Sequence, residues 1–508
     1  MTRRTLVLAS ALLGLACSNG SEQPGVDAAT PGSDAFTPSV DGARPGTDAA
    51  HVASATGIDQ VFAGEYVTSF LHEGRVYSDG AGPLYRRGAG DHPPDHAYPP
   101  SEVDLPGDVR IVTGAGGLHF TIIADTNGHV YEWGDIDANP DLANHNSPIM
   151  LTNADGSPFV LPGGVVAMSA SVGTSGAIAG DGSVWIWDDC ENNFCGDGVD
   201  HSNAMNTPWP MLHPFHVPLP SDVHATQLVL GDTVIILDDM GRIWTWGGDA
   251  DEDLGSGSHD HLSPHSITTT KTGDAMPPVR EIASGGAYSY ALTTSGDLYV
   301  WGIYLEIAGH CPGSGWCPEA HPALSNDVIA PATAGGAHLV HIRASSGGSY
   351  AIMSDGSLWG WGTNGQGLVG DGHEPDRSVA ATPAGQTPYT WDWNKDAMLV
   401  TSAVHIAPEV HDFVDLFSGT ALVFYAYALT SDGHLYSWGR NKTGCLGSGQ
   451  LPTNSQQAAT YPNSWDVTTP TSVDPMRATD MPVSSPACTT ESSPSCWCAG
   501  GMSGPQNC

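Results

Sequence analysis

Positively charged residues are scarce in this 508-residue chain, which carries 16 Lys and Arg against 55 Asp and Glu. Charged residues of either sign make up only 14% of the chain, against roughly 25% in an average soluble domain. The formal net charge is −39. A surface of that charge repels phosphate backbones, so DNA or RNA binding by the chain as a whole is not expected.

Long apolar runs are absent as well. No stretch reaches the eighteen consecutive apolar residues that a membrane-spanning helix needs. The run Leu6–Ala16 has 11 residues, follows a short basic start and has the length of the apolar region of a signal peptide. We therefore predict that residues 1–16 are a signal peptide and that the chain is exported.

Cys17 follows this run directly, with the small residue Ala16 before it. The arrangement resembles a bacterial lipoprotein signal, in which the cysteine is lipidated and becomes the mature N-terminus. The resemblance implies a lipid anchor at Cys17, and Ser18 in the next position implies sorting to the outer membrane. The alternative is an ordinary secretory signal that is cut near the same place.

Large apolar side chains are nearly missing between residues 18 and 57, where Phe36 is the single aromatic residue. Such a composition cannot bury enough surface to offset the entropy of ordering. We predict that residues 17–57 form a disordered tether with a reach of roughly 35 Å.

A repeat runs through the remainder of the chain. The pattern Gly-x-(Val/Ile/Leu)-(Tyr/Trp)-x-Trp-Gly recurs at spacings of 54, 54, 59, 55, 60 and 77 residues, counted between the leading glycines. The first copy is degenerate, with Asp79 in place of the tryptophan. The copies begin at Gly74, Gly128, Gly182, Gly241, Gly296, Gly356 and Gly433. Seven copies at that period indicate a repeat architecture.

Each copy is preceded by a second apolar run and a short turn, of which Asp181-Gly182 and Asp355-Gly356 are clear examples. Two such runs around a Gly-containing turn predict a β-hairpin. Some copies continue into a Gly-rich tail, such as residues 362–368. Tyr131 and Trp133 alternate along one strand, which places both on one face and favours core packing over ligand binding.

At these residues the chain resembles the RCC1 (regulator of chromosome condensation) repeat family over about residues 58–475. The resemblance implies an all-β fold, a seven-bladed β-propeller over residues 58–476 with one blade for each repeat. A short Cys-rich tail, 477–508, follows. The family's nucleotide-exchange and chromatin activities are not expected in an acidic, exported protein.

Closure of the ring is a further expectation. An open propeller would leave unpaired strand edges on its first and last blades. A Pro-led element after the seventh repeat, residues 468–476, is expected to pair with blade one, near residues 58–80, and to close the ring. The alternative is that 468–476 is coil that leads into the Cys-rich tail.

Acidic loops are the first candidate metal sites. Oxygen ligands are spaced as in a calcium loop by Asp135, Asp137, Asn139 and Asp141. Pro140 replaces the turn-forming glycine of such a loop, and Asn146 stands in place of its bidentate glutamate. The alternative is a solvated acidic loop, and we expect that calcium is not needed for folding. Asp249, Asp251 and Asp253 repeat the spacing more weakly.

Histidines and cysteines supply the other candidate sites. Ligands suited to zinc or copper are His259, Asp260, His261 and His265. Export suggests disulfides among the ten cysteines. Cys190–Cys195 and Cys311–Cys317 are predicted to staple two loops. The C-terminal cluster has no assigned connectivity, with metal binding as the alternative, and comprises Cys488, Cys496, Cys498 and Cys508. Cys445 is the odd cysteine, and we predict that it is buried as a small apolar residue.

No Gly-x-Ser-x-Gly elbow, phosphate-binding loop or dinucleotide fingerprint is present in the sequence. We therefore predict a monomeric, non-catalytic module without a cofactor, which binds an unidentified protein or glycan through the loops of one propeller face. Long insertions such as 188–220 and 363–411 would enlarge that face. The alternative is a cell-envelope enzyme or a carbohydrate-binding module.

Overall fold

A computed structural model gives the fold. It describes residues 57–65, 67–80, 98–134, 145–190, 193–201, 210–248, 254–257, 260–303, 305, 307–310, 318–364, 367–372, 399–420, 422–441, 445–447 and 467–475. Cys17, the loop 135–141, Cys311, Cys317 and the tail 477–508 lie outside these residues.

Twenty-eight strands form seven four-stranded antiparallel sheets in the described part of the chain. Blades one and two comprise β1 (Ile58–Ala63), β2 (Val67–His72), β3 (Arg75–Gly80), β4 (Tyr98–Glu102), β5 (Ile111–Gly116), β6 (Phe120–Asp125), β7 (Val130–Gly134) and β8 (His145–Met150). Blades three and four comprise β9 (Val165–Ala170), β10 (Ser175–Ala179), β11 (Val184–Asp189), β12 (Pro210–His216), β13 (Ala225–Leu230), β14 (Val234–Asp238), β15 (Ile243–Gly248) and β16 (Asp260–Ile267).

The remaining blades follow the same plan. Blades five and six comprise β17 (Val279–Ser284), β18 (Tyr288–Thr293), β19 (Leu298–Gly302), β20 (Glu319–Leu324), β21 (Leu339–Ala344), β22 (Gly348–Met353), β23 (Leu358–Thr363) and β24 (Leu399–Ile406), with one short helix, α1 (Ala330–Thr333), between β20 and β21. Blade seven comprises β25 (Phe413–Phe417), β26 (Tyr425–Thr430), β27 (Leu435–Gly439) and β28 (Val467–Val473). The predicted seven-bladed β-propeller is confirmed.

The order of strands within each blade follows the chain. The first strands line a central channel, and the fourth strands lie at the outer edge. The repeated motif supplies the third strand of each blade and the glycine of the turn before it. The Asp-Gly turns hold these glycines at positive φ, as at Gly182 (82°) and Gly356 (76°). A side chain at that φ is strained, so the turn requires glycine.

The hydrophobic core is divided among the junctions between blades. Seven clusters of buried side chains occur, and each joins two neighbouring blades. In six junctions the motif tryptophan packs onto the preceding blade and is almost completely buried; the six are Trp133, Trp187, Trp246, Trp301, Trp361 and Trp438. The prediction that the paired aromatics pack in the core is confirmed for these six tryptophans and for Tyr131. The first aromatic of the pair is only half-buried at Trp185, Trp244 and Trp359.

The predicted closure of the ring by a strand from the C-terminal side is wrong. β28 pairs with β27 of its own blade, with Val473 opposite Leu435. Blade one has its own fourth strand, β4, which pairs with β3 and occupies the outer edge. Residues 467–473 therefore complete blade seven.

Blades seven and one are joined instead by side chains. The Thr68 hydroxyl lies 2.7 Å from the Tyr425 hydroxyl and donates to the Cys445 carbonyl (3.0 Å). The Gly447 N–H donates to the carboxylate of Asp79 (3.0 Å). Asp79 thus holds the place of the missing tryptophan, and it accepts a hydrogen bond from the tail of blade seven. Cys445 is fully buried in this junction, which confirms its predicted burial.

Candidate functional site

The connections between third and fourth strands leave from one end of the propeller, which we call the loop face. They range from 10 residues (135–144) to 35 residues (364–398). The connections between second and third strands lie at the opposite end, the turn face, and have two to four residues. The antiparallel order of every blade causes this separation, because alternate connections fall at opposite ends.

Backbone carbonyls at the base of these long connections receive hydrogen bonds from two blades. The Leu368 carbonyl accepts from the Tyr350 hydroxyl of its own blade (2.7 Å) and from Trp438 Nε1 of the next (3.0 Å). The Ala308 carbonyl likewise accepts from Tyr290 (3.0 Å) and Trp361 (3.1 Å). The described bases of these two loops are therefore held by side chains of two neighbouring blades.

Blade three reaches the same arrangement with a different sequence. The Phe194 carbonyl accepts from Trp246 Nε1 (2.8 Å). Around it the structure joins Cys190 and Cys195, whose Cα atoms are 5.3 Å apart. The Asn193 side-chain oxygen accepts from the His201 backbone N–H (2.6 Å). The disulfide thus encloses a turn that serves the next blade.

Metal ligation at this turn is limited by the disulfide. Donor atoms of Cys190, Cys195 and His201 lie within 4.8 Å of one another, the only such group of His, Cys, Asp and Glu among the described residues. Sulfurs in a disulfide are not metal ligands, because thiolates are required. The His201 Nε2 also lies 3.1 Å from the Asp197 carboxylate. With Cys190 and Cys195 joined in a disulfide, the group cross-links the turn and does not form a metal centre.

The predicted histidine site is only partly described. His261 and His265 stack with ring centroids 4.3 Å apart, and the Ser256 hydroxyl lies 2.6 Å from His261 Nε2. His259 and the Asp260 side chain lie outside the described residues, as do the calcium candidates Asp135, Asp137, Asn139 and Asp141 and the weaker series Asp249, Asp251 and Asp253. In the described part the structure brings no third metal ligand to the two stacked histidines.

The central channel encloses a cavity of about 250 Å³ lined mainly by first strands. Arg343 of blade six is the charged residue among those that line it. Arg343 pairs with Glu281, whose other oxygen lies 3.5 Å from His341 Nδ1. Asp415 is the neighbouring carboxylate on blade seven. Repeat spacing places these side chains near the channel, but no single motif marks them, so sequence reasoning did not find them.

The charges of this channel network compensate one another. Burial raises the pKa of Glu281, but Arg343 and His341 outweigh it and hold that pKa below its usual value. Burial lowers the pKa of Arg343, but Glu281 and Asp415 outweigh it and raise that pKa. The pKa of Asp415 is raised by burial, which Arg343 only partly offsets. The network therefore acts as an ion-pair link between blades.

A second buried charge cluster lies between blades two and three. Glu132 is buried and accepts a hydrogen bond from Trp187 Nε1 (3.0 Å). Burial and the nearby Asp188 carboxylate raise the pKa of Glu132. Burial raises the pKa of Asp188 to about 8, partly offset by the Ser175 hydroxyl. Both residues stand inside copies of the motif, and an alignment of the seven copies would have exposed them.

This architecture defines the class of the protein as a seven-bladed β-propeller built from tandem repeats. Comparisons with known proteins show what the chain is similar to. The regulator of chromosome condensation (RCC1) repeat model matches residues 432–491. Protein pim1 of Schizosaccharomyces pombe is 24% identical over 399 residues, covering 74% of this chain and 67% of pim1. The ultraviolet-B receptor UVR8 of Arabidopsis thaliana is 25% identical over 383 residues, covering 74% and 75%.

Solved structures show the same fold. Human WBSCR16 has a TM-score of 0.58 at 19% identity, covering 78% of this chain and 93% of that chain. Prp20p of Saccharomyces cerevisiae has a TM-score of 0.57 at 20% identity, covering 82% and 88%. The chain is therefore similar to RCC1 repeat proteins in sequence and in fold. Within the residues that the structure describes, no helix has the length and apolar character of a membrane span.

Proposed function

We propose that this protein is an exported, lipid-anchored RCC1-repeat propeller that binds another protein through its loop face and performs no catalysis. The observation that carries the proposal is the placement of all seven long connections at one end of the propeller. Propellers of this kind present a surface assembled from every blade, and recognition is carried by loops on a rigid scaffold.

The comparisons support a protein partner. One matching structure is described as yeast RCC1 (Prp20) with Kap60 bound, and another reports the binding of Prp20p to Gsp1p and histones. SRM1 of Saccharomyces cerevisiae is named a guanine nucleotide exchange factor. We transfer only protein binding to this chain, because a net charge of −39 and the leader-like residues 1–16 favour a different partner and compartment.

The channel network favours binding over catalysis. Its buried carboxylate Glu281 is compensated by Arg343 and His341. A general base needs a pKa near the working pH, whereas Glu281 has a pKa below its usual value. These groups therefore stabilise the ring.

Cross-linking in intact cells tests the binding face. Residues 373–397 lie within the longest connection and are replaced by a short Gly-Ser linker. A matched control replaces residues 153–157, an exposed turn on the turn face. We expect wild type and control to capture the same protein, and the loop-face variant to lose it. Equal capture by all three would show that this connection is not the binding surface.

The anchor has a separate test. Because the predicted lipid is attached at Cys17, Cys17→Ser should move the protein from the detergent phase to the aqueous phase of a phase separation. A variant that still partitions with detergent would contradict lipidation. Folding of the propeller, followed by circular dichroism, should be unchanged because residues 57–475 supply its strands.

A further inference from the structure

Blade three departs from the repeat at one backbone position. Five blades place a glycine after the motif tryptophan, with φ between 103° and 120°; these are Gly134, Gly247, Gly302, Gly362 and Gly439. Blade three has Asp188 there, at φ 78°. A non-glycine residue in this region is strained, and such strain is concentrated at functional sites.

Blade two departs from the repeat at the position before its tryptophan. Glu132 stands there, whereas later blades have uncharged residues, namely Ile186, Thr245, Val300, Gly360 and Ser437. The Glu132 side chain points to blade three, because it accepts a hydrogen bond from Trp187 Nε1. Asp188 is the next residue after Trp187. The two exceptional acids of the motif therefore meet at one junction.

Several buried oxygen atoms at this junction make no hydrogen bond of normal geometry, although the Ser175 hydroxyl lies close enough to Asp188 to lower its pKa. They are one oxygen of Glu132, both carboxylate oxygens of Asp188 and the Ser175 hydroxyl. Ser175 lies directly opposite Trp187 in the β10–β11 register and is fully buried. Among the described residues, no Lys, Arg or His forms an ion pair with Glu132 or Asp188. Desolvated oxygens of this kind are costly unless a ligand compensates them.

We propose that Glu132, Asp188 and Ser175 bind one hard divalent cation, Ca²⁺, between blades two and three. Carboxylate and hydroxyl oxygens suit a hard cation, and the side chains of these three residues offer no nitrogen or thiolate donor that would favour zinc. Ca²⁺ accepts irregular coordination, whereas Mg²⁺ demands octahedral geometry and retains its waters. The cation would link the carboxylate of one blade to that of the next. This site is separate from the predicted calcium loop 135–141.

Thermal unfolding of the full chain tests the proposal. The protein is stripped with EDTA and then titrated with Ca²⁺ at physiological ionic strength and with excess Mg²⁺, which suppresses non-specific binding to the acidic surface. Ca²⁺ at a hundred times its dissociation constant should raise the Tm by about 3 to 5 °C. Isothermal titration should give a stoichiometry of one for this response.

Two variants and one control assign the response to this junction. Asp188→Gly restores the motif glycine and removes a ligand, so its Tm in EDTA should equal or exceed that of wild type while the Ca²⁺ response is lost. Glu132→Gln should lose the response as well. Asp155→Asn changes an exposed carboxylate elsewhere and should keep it. A response retained in Asp188→Gly, or a wild-type Tm that changes by less than about 1 °C, would overturn the proposal.

Discussion

Six tryptophans occupy equivalent positions in six blades, where all six are buried and four also use the ring N–H group. The ring fills the junction with the preceding blade, and in four junctions the N–H donates to a described acceptor there. A buried donor without a partner costs about 1–3 kcal/mol. The recurrence of tryptophan therefore reflects a hydrogen bond as well as the volume of the ring.

Trp438→Phe removes this donor and part of the ring at the junction of blades six and seven. We expect a loss of about 2 kcal/mol in the free energy of unfolding, from the missing hydrogen bond to Leu368 and the residual cavity. Urea unfolding measures it. The control is Trp359→Phe, the same change at a half-buried ring that bonds to Ser357, where about 0.5 kcal/mol is expected. Equal losses would contradict the assigned role of Trp438.

Arg343 compensates a buried carboxylate, and Arg343→Met leaves Glu281 without that charge. We expect a loss of about 3 kcal/mol near neutral pH. Arg343 and His341 lower the pKa of Glu281 in the wild type, so this contribution to stability is present above the unfolded pKa and is lost as the pH falls. In the variant burial dominates and raises the pKa of Glu281, so the variant recovers stability as the pH falls.

Urea unfolding across the acid range checks these opposite slopes. The other charged groups that face Glu281 are Arg280, His341 and Asp415, and they are unchanged in both proteins. Arg75→Met is the control, because its ion pair with Glu102 is exposed, and no measurable loss is expected. Parallel pH profiles for wild type and Arg343→Met would show that Arg343 does not compensate Glu281.

At the scale of elements, the tail after the third strand has two tasks in blades three, five, six and seven. It starts a connection on the loop face, and its carbonyl receives the next blade. Blades six and seven do this with tails that the sequence pattern marks, residues 364–370 and 441–447. Blade three does it with the turn between Cys190 and Cys195, which has no such pattern. In blades three, five and six, different local sequences therefore present a backbone carbonyl to the tryptophan of the next blade.

The disulfide of blade three has a measurable effect on this turn. Replacing Cys190 and Cys195 together by alanine should cost about 2 kcal/mol, because the cross-link limits the unfolded chain over a short loop. Thermal unfolding with and without reductant measures it, and the reductant-dependent fall in Tm should be smaller in the variant. Labelling of both thiols in the unreduced native protein would show that they are not paired.

At the scale of the whole molecule, the ring closes without a shared blade. Every blade is built from consecutive strands, and the junction of blades seven and one is held by Asp79, Thr68, Tyr425 and the tail at Gly447. Phe70 and Tyr427 meet edge to face across the same junction, with centroids 5.8 Å apart. Closure thus depends on side chains and tail contacts.

Two truncations distinguish closure by side chains from the predicted closure by a strand that pairs with blade one. Ending the chain after Met481 keeps β28, whereas ending it after Asn454 removes β28 and exposes the edge of β27. We expect the shorter chain to lose several kcal/mol and its hydrogen-exchange protection in β27. Protection in β1 and β4 should be retained, because β28 makes no ladder with blade one. Loss of protection in blade one to the same extent as in β27 would restore the shared-blade model.

The repeat itself could be read from the sequence. Alternation of apolar residues, Asp-Gly turns and the recurring Trp-Gly pair are local signals, because a hairpin depends on residues that are close in the chain. Seven copies then imply seven blades. Burial of the motif tryptophans followed from the same alternation, since residues two apart share one face of a strand.

The partners of each repeat were decided only by the tertiary structure. The Pro-led strand 467–473 can pair with either of two edges by its sequence, and the outcome depends on β4, which already occupies the edge of blade one. Glu132 and Asp188 lie 56 positions apart and meet only because blades two and three are neighbours in the ring. In the sequence, Asp79 stands where the other motif copies have a tryptophan. In the structure, its carboxylate accepts a hydrogen bond from the Gly447 N–H, 368 positions further along the chain. The local pattern of apolar residues and turns determines the strands of a blade. Contacts between distant residues determine how the blades are joined, because the energy of a junction depends on which surfaces the closed ring brings together.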